Sequence, residues 1–170
     1  MQIYLRDRAP ELADLPELTF PAFMNLPGLG INWIPEGEKY SVGKLWHHHG
    51  HKLAGGGMYP AKNKFMKVFQ NIIFGHHHKY DYFSMRQYGT NTLYQSIANG
   101  NIYTLEPEYA HHTHWTIGFT EINYGRGGAF THNFIHISET GDGGYEAIHN
   151  GSGRLYESYK DEDIDKFLAK

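Results

Sequence analysis

The sequence predicts an α/β fold that turns β-rich after residue 80. Three observations carry this. A strand-like stretch, Lys44-Leu45-Trp46-His47-His48, and a short apolar run, Asn71-Ile72-Ile73-Phe74, flank a stretch with helical spacing, giving a strand–helix–strand order. Farther along, apolar residues alternate with polar ones around Trp115–Phe119 and again around Phe130–Ile137. Finally, 20 glycines, 13 tyrosines and 10 phenylalanines suit strands and loops better than a helical bundle. At 170 residues, with no internal repeat and no linker, residues 1–170 read as one domain able to bury a core.

Taken in order, residues 1–30 are loop-rich, because Pro10, Pro16, Pro21 and Pro27 keep any helix brief. Ile31-Asn32-Trp33-Ile34 reads as a short strand before a Pro35-Glu36-Gly37 turn. The strand over Lys44–His48 delivers His49 to a loop. After Gly55-Gly56-Gly57, a helix opens at Tyr59-Pro60-Ala61, with proline in the first turn where its missing N–H costs nothing. Ala61, Phe65, Val68 and Phe69 give that helix an apolar face for a sheet. Asn71–Phe74 reads as a buried strand ending at Gly75.

In the β-rich part, Trp115, Ile117 and Phe119 alternate with Thr116, Gly118 and Thr120. The phase then shifts to Ile122 and Tyr124, which predicts a bulge or bend near Glu121. Arg126-Gly127-Gly128 reads as a hairpin turn. The next strand sets Phe130, His132, Phe134 and His136 on one face and Ile135 and Ile137 on the other. Gly141-Asp142-Gly143 reads as a further turn. Asp161–Lys170 reads as a short amphipathic helix capped by Asp161.

Composition narrows the function. A net charge of -3 gives no electrostatic signature for nucleic acid, and Lys62 and Lys64 are too few to make a basic patch. The absence of cysteine excludes a disulfide framework and a CxxC zinc site, and fits a reducing interior. No apolar run reaches membrane-span length and no signal-peptide pattern opens the chain, so a soluble, cytoplasmic protein is expected.

Ten of the 13 histidines fall in three clusters: His47-His48-His49 with His51, His76-His77-His78, and His111-His112 with His114. None lies at a terminus, which argues against an affinity tag. Imidazole is the commonest transition-metal ligand and titrates near neutrality. Both His49-Gly50 and Gly75-His76-His77-His78 follow predicted strands. The adjacent glycines let the backbone turn tightly and bring the imidazoles close to a small target. If His76–His78 is extended, His76 and His78 point the same way, toward neighbouring metal positions. By spacing alone the triples read either as metal ligands or as polar surface. The third cluster reads as a solvated loop near the site mouth, more exposed than His49, His76 and His78. His132 and His136 read as structural histidines, and Tyr80, Tyr82 and Phe83 as sheet packing.

The order of these features resembles the C-terminal half of a calcineurin-like metallophosphoesterase. That family carries an HG motif, a glycine-rich loop and helix, and a GHxH motif ending a strand. Here these stand as His49-Gly50, Gly55-Gly56-Gly57-Met58-Tyr59-Pro60-Ala61 and Gly75-His76-His77-His78. The later stretch from Asn99-Gly100-Asn101 through Leu105-Glu106-Pro107-Glu108-Tyr109 to Trp115-Thr116-Ile117-Gly118-Phe119 is similar to phage-type members, as are Arg8-Ala9-Pro10 and Leu15-Pro16-Glu17-Leu18. The resemblance implies half of an αββα sandwich. It also implies a dinuclear centre of divalent ions (manganese, iron, zinc or nickel) and hydrolysis of phosphate mono- or diesters, with nucleic acid only as a substrate. His49 and His76 would serve one metal and His78 the other. The location implied is a host cytoplasm.

The family's upstream DxH, GDxxD and GNH motifs do not occur in these 170 residues, and Asp7 and Asp14 lack their flanking pattern. Three neutral imidazoles cannot offset two dications, and a closed site wants about four to six donors with carboxylates among them. The lone chain is therefore expected to be a poor hydrolase that needs a separate N-terminal half or that self-associates. A different reading is a non-catalytic histidine-rich protein that binds an ion or a partner surface. A cupin barrel also uses an HxH pair, but the helix between the two clusters would interrupt its jelly-roll order.

Overall fold

A computed structural model describes residues 7–13, 15–35, 38–51, 57–103, 113–141, 144–149 and 151–157. The chain divides into two compact units, Met1–Lys39 and Tyr40–Lys170.

Prolines punctuate the first unit. Helix α1 (Pro10–Ala13) opens on Pro10, a 3-10 turn (Pro16–Leu18) on Pro16, and α2 (Phe20–Phe23) carries Pro21 in its first turn. Residues 31–35 are irregular rather than a strand. The apolar run there does not pair; Trp33 instead sets its ring 5.1 Å from Phe20. Of the turn expected after it, Glu36 and Gly37 lie outside the described residues.

Among its described residues, the second unit holds two sheets and one longer helix. Strands β1 (Tyr40–Val42), β2 (Leu45–His48), β3 (Ile72–Phe74), β4 (Asp81–Arg86) and β5 (Leu93–Ala98) form the first sheet, in the order β1-β2-β3-β5-β4. Its centre is parallel: β2 pairs with β3, and β3 with β5. The edge strands β1 and β4 run antiparallel to their neighbours. Helix α3 (Pro60–Val68) connects β2 to β3. Pro60 opens it, and Phe69, with φ 48°, closes it by donating to the Phe65 carbonyl. This is the helix predicted over Tyr59–Phe69, trimmed by one residue at each end.

The pairing register fixes what each face holds. Trp46, Ile72, Ser96 and Phe83 share one face. Helix α3 lies on that face: the fully buried Phe65 ring sits 5.2 Å from Phe83 and 6.2 Å from Tyr94. Burying a side chain of this size contributes roughly 1.5–3 kcal/mol. Ala61, Ile72, Phe74 and Ala98 complete this core.

His47, Ile73, Ile97 and Tyr82 share the opposite face. It is covered by the second sheet, β6 (Gly118–Tyr124), β7 (Phe130–Glu139), β8 (Tyr145–His149) and β9 (Arg154–Glu157), paired antiparallel in that order. Tyr80 stacks on Phe134 at 3.9 Å, Tyr82 lies 4.6 Å from His132, and His47 Nε2 is 2.8 Å from the Tyr124 hydroxyl. The five-stranded sheet is thus packed on both faces. Phe119, Tyr145 and Tyr156, on the far face of the four-stranded sheet, are exposed. The mixed α/β fold dominated by sheets agrees with the sequence.

The bulge expected near Glu121 is absent: β6 pairs with β7 without interruption from Gly118↔His136 to Tyr124↔Phe130. The apolar phase shifts because both faces carry apolar residues, Phe119 outside and Ile122 and Tyr124 inside. The Arg126–Gly128 turn joins β6 to β7 as expected, with Gly127 at φ 69° and Gly128 at φ 76°. The predicted Asp161–Lys170 helix and Asp142-Gly143 lie outside the described residues.

Candidate functional site

The parallel strands β2 and β3 end side by side, and each runs directly into a histidine turn. In sheets of parallel strands, ligands bind in the crevice beyond the carboxyl ends. The two turns are tied together by a backbone bond from Gly75 N–H to the His49 carbonyl, at 3.1 Å. Gly50 makes this approach possible. Its φ is 113°, and a Cβ there would lie 2.8 Å from the Gly75 carbonyl oxygen and 3.3 Å from His76 Cβ and Phe74 Cδ2.

Two side chains fix the first turn from beneath. His48 Nδ1 accepts the Gly50 N–H at 2.7 Å, which places its own proton on Nε2. Lys64, fully buried on α3, donates to the Gly50 carbonyl at 2.7 Å, its ammonium 4.9 Å from the Phe74 ring centre. Loss of hydration, with Lys67 nearby, pushes its pKa down to about 8.

Above the turns, His49 and His76 stand 5.1 Å apart between ring centres. His51 joins them, 5.1 Å from His49 and 5.9 Å from His76. His76 is held below the usual imidazole value, first by lost hydration and then by His49, His51, His78 and Lys64. His78 sits apart from this trio, with its ring 4.6 Å from Trp115. The segment His76–His78 is not extended: His76 and His78 have φ of 70° and 54°. Non-glycine residues rarely adopt such angles, and their presence here marks a turn held by its surroundings.

The remaining histidines sort by contact. His47 bonds Tyr124, and its pKa is lowered by burial. His77 packs edge-on to Phe74 with Nε2 buried and unpartnered among the described residues. Its pKa is lowered, chiefly by burial and then by Lys64, His76 and His78. His132 lies against Tyr82 and, like that of His47, its pKa is lowered by burial. His111 and His112 lie outside the described residues, and His114 is exposed, as are His49 and His76.

Comparison with known protein families, curated proteins and solved structures finds no match for the chain.

The donor set suits part of a metal centre. Imidazoles take divalent transition metals. Among the described residues, however, no group of three or more histidine, cysteine or carboxylate side chains is arranged to hold an ion. His49, His76 and His78 are imidazoles and bring no negative charge to such a site. His51 is not among the ligands that the resemblance implies. In the sequence Lys64 counts only as one of two lysines too few for a basic patch. The four-residue spacing of Pro60, Lys64 and Val68 was the signal that Lys64 lies on the packed face of α3.

Proposed function

We propose that this chain is the C-terminal part of a dinuclear metal-dependent phosphoesterase acting on phosphate mono- or diesters. A separate N-terminal polypeptide would supply the carboxylates that complete the centre. One observation supports this above the others: His49-Gly50 and Gly75-His76-His77-His78 leave adjacent parallel strands, with the His49 and His76 rings 5.1 Å apart. In this reading His49 and His76 serve one ion and His78 the other. Bound dications would stabilise charge on the phosphorus oxygens. The chain's own residues do the positioning. His48 and Lys64 hold the Gly50 turn from both of its backbone groups. His51, beside His49, would be the histidine that protonates the leaving oxygen.

The test is hydrolysis of bis(p-nitrophenyl) phosphate with manganese. The lone chain should turn over slowly or not at all. Adding an N-terminal polypeptide bearing DxH, GDxxD and GNH motifs should restore turnover, and His76→Ala should then lower it by about a hundred-fold or more. No turnover with such a partner, together with metal binding unchanged in His49→Ala, His76→Ala and His78→Ala, would instead favour a non-catalytic histidine-rich interaction protein.

A further inference from the structure

Beside the histidine turns lies an open cleft of about 400 Å³, lined among the described residues by Gly57, Met58, His77, Lys79, His114 and Trp115. Its volume falls in the range of roughly 300–1,000 Å³ typical of small-molecule clefts. We propose that this cleft binds the nucleoside monophosphate portion of a phosphoester substrate, with its ring against Trp115 and its phosphate at Lys79 and His114.

The argument is chemical. The described lining contains an indole, a thioether, two imidazoles and one ammonium, and no carboxylate. An indole and a thioether suit a planar ring, and base-on-aromatic stacking is worth several-fold to a hundred-fold in affinity. Met58 is 69% exposed, so its side chain is accessible. Lys79 donates one bond to the Met58 carbonyl at 3.1 Å, which both ties the cleft walls together and leaves an ammonium with further N–H donors. His114 adds another polar nitrogen. A neutral aromatic ligand would leave the cation unused, and an inorganic anion would leave the indole unused. A ring that carries a phosphate uses both.

The cleft also lies in the right place. Trp115 stands 4.6 Å from the His78 ring, and His77 lies between His76 and His78 in sequence. A phosphate bound at the mouth of the cleft is therefore next to the imidazoles that address the reacting phosphorus. The inference rests on the phosphoesterase reading, and it specifies the substrate class: phosphoesters with a nucleotide on one side.

The full chain is titrated with AMP, adenosine and inorganic phosphate in EDTA, following calorimetry and the Trp115 indole N–H resonance, assigned with Trp115→Phe. Expected is AMP binding at least about ten-fold tighter than either fragment, with the Trp115 resonance shifting on titration of the unmodified chain. Trp115→Ala and Lys79→Met should each weaken AMP about ten-fold or more, while Trp115→Phe retains most of the affinity. Unchanged thermal midpoints establish that the variants are folded, and Lys79→Met carries the test if Trp115→Ala is not. AMP binding no tighter than its fragments, or equally in Lys79→Met, overturns the proposal. Because no metal is present, the outcome is independent of turnover. Binding without restored hydrolysis would sink the phosphoesterase reading and leave the cleft standing, and hydrolysis without AMP binding would do the reverse.

Discussion

Two residues beneath the histidines decide whether the candidate site exists at all. Gly50 has a left-handed backbone and no room for a Cβ against the Gly75 carbonyl. Gly50→Ala should therefore cost at least about 2 kcal/mol in urea denaturation, combining backbone strain with a clash that cannot relax into solvent. A loss under half of that would mean the two turns are not locked together as described. Lys64 acts by a different route. Its buried ammonium holds the Gly50 carbonyl, while burial lowers its pKa to about 8. In the unfolded chain the value is near 10.5, so the fold disfavours the charged form. The stability tied to this group is present above pH 10.5 and is lost as pH falls through about 8. Lys64→Met should flatten the stability profile of the unmodified chain between those limits, and an identical slope in both proteins would refute the linkage.

At the scale of elements, helix α3 matters most because it closes one face of the sheet and carries Lys64 to the turn. Phe65 is its anchor, fully buried against Phe83, Tyr94 and Phe69. Phe65→Ala should cost about 3–5 kcal/mol, the usual range for truncating a buried ring. The neighbouring Met66→Ala, at a position 52% exposed, should change stability by less than about 0.5 kcal/mol. Comparable losses in both would mean that the helix packs on a different face. The β6–β7 hairpin plays the matching part on the other side. It receives His47 at Tyr124 and the Tyr80 and Tyr82 rings at Phe134 and His132, which gives His47 and His132 packing partners between the sheets.

Across the whole molecule, acid should unfold this protein early. His47, His48, His77 and His132 are not exposed, and all have pKa values below the free imidazole, with burial the leading cause in each. A lowered value means that the unfolded chain takes up protons more readily. The stability these groups contribute is thus present above their unfolded value of about 6.5 and is lost as pH falls below it. Thermal midpoints should drop between pH 7.5 and 5.5, and His132→Phe should remove part of that drop. A midpoint that rises toward acid pH would contradict the burial assigned to these rings.

What the sequence determined by itself was local and periodic. Apolar spacing fixed the helix from Pro60, the strands ending at His48 and Phe74, and the alternating faces of Phe130–Ile137, because side-chain direction repeats with the backbone. Glycine beside histidine marked the two turns for the same local reason. Other features needed the tertiary structure. Ile31–Ile34 has strand-forming residues but joins no strand among the described residues, and the apolar phase change near Glu121 reflects apolar residues on both faces of β6 rather than a bulge. Composition could not separate these cases, since both depend on what lies across from the strand. The histidines show the same limit. Seven imidazoles in two short runs look alike in sequence. Packing sends His47 to Tyr124, His48 to the Gly50 N–H and His78 to Trp115, and it gathers His49, His51 and His76 above the turn. The reason is that neighbouring residues on a strand or turn face different neighbours, and for His47, His76 and His78 those neighbours come from segments dozens of residues away.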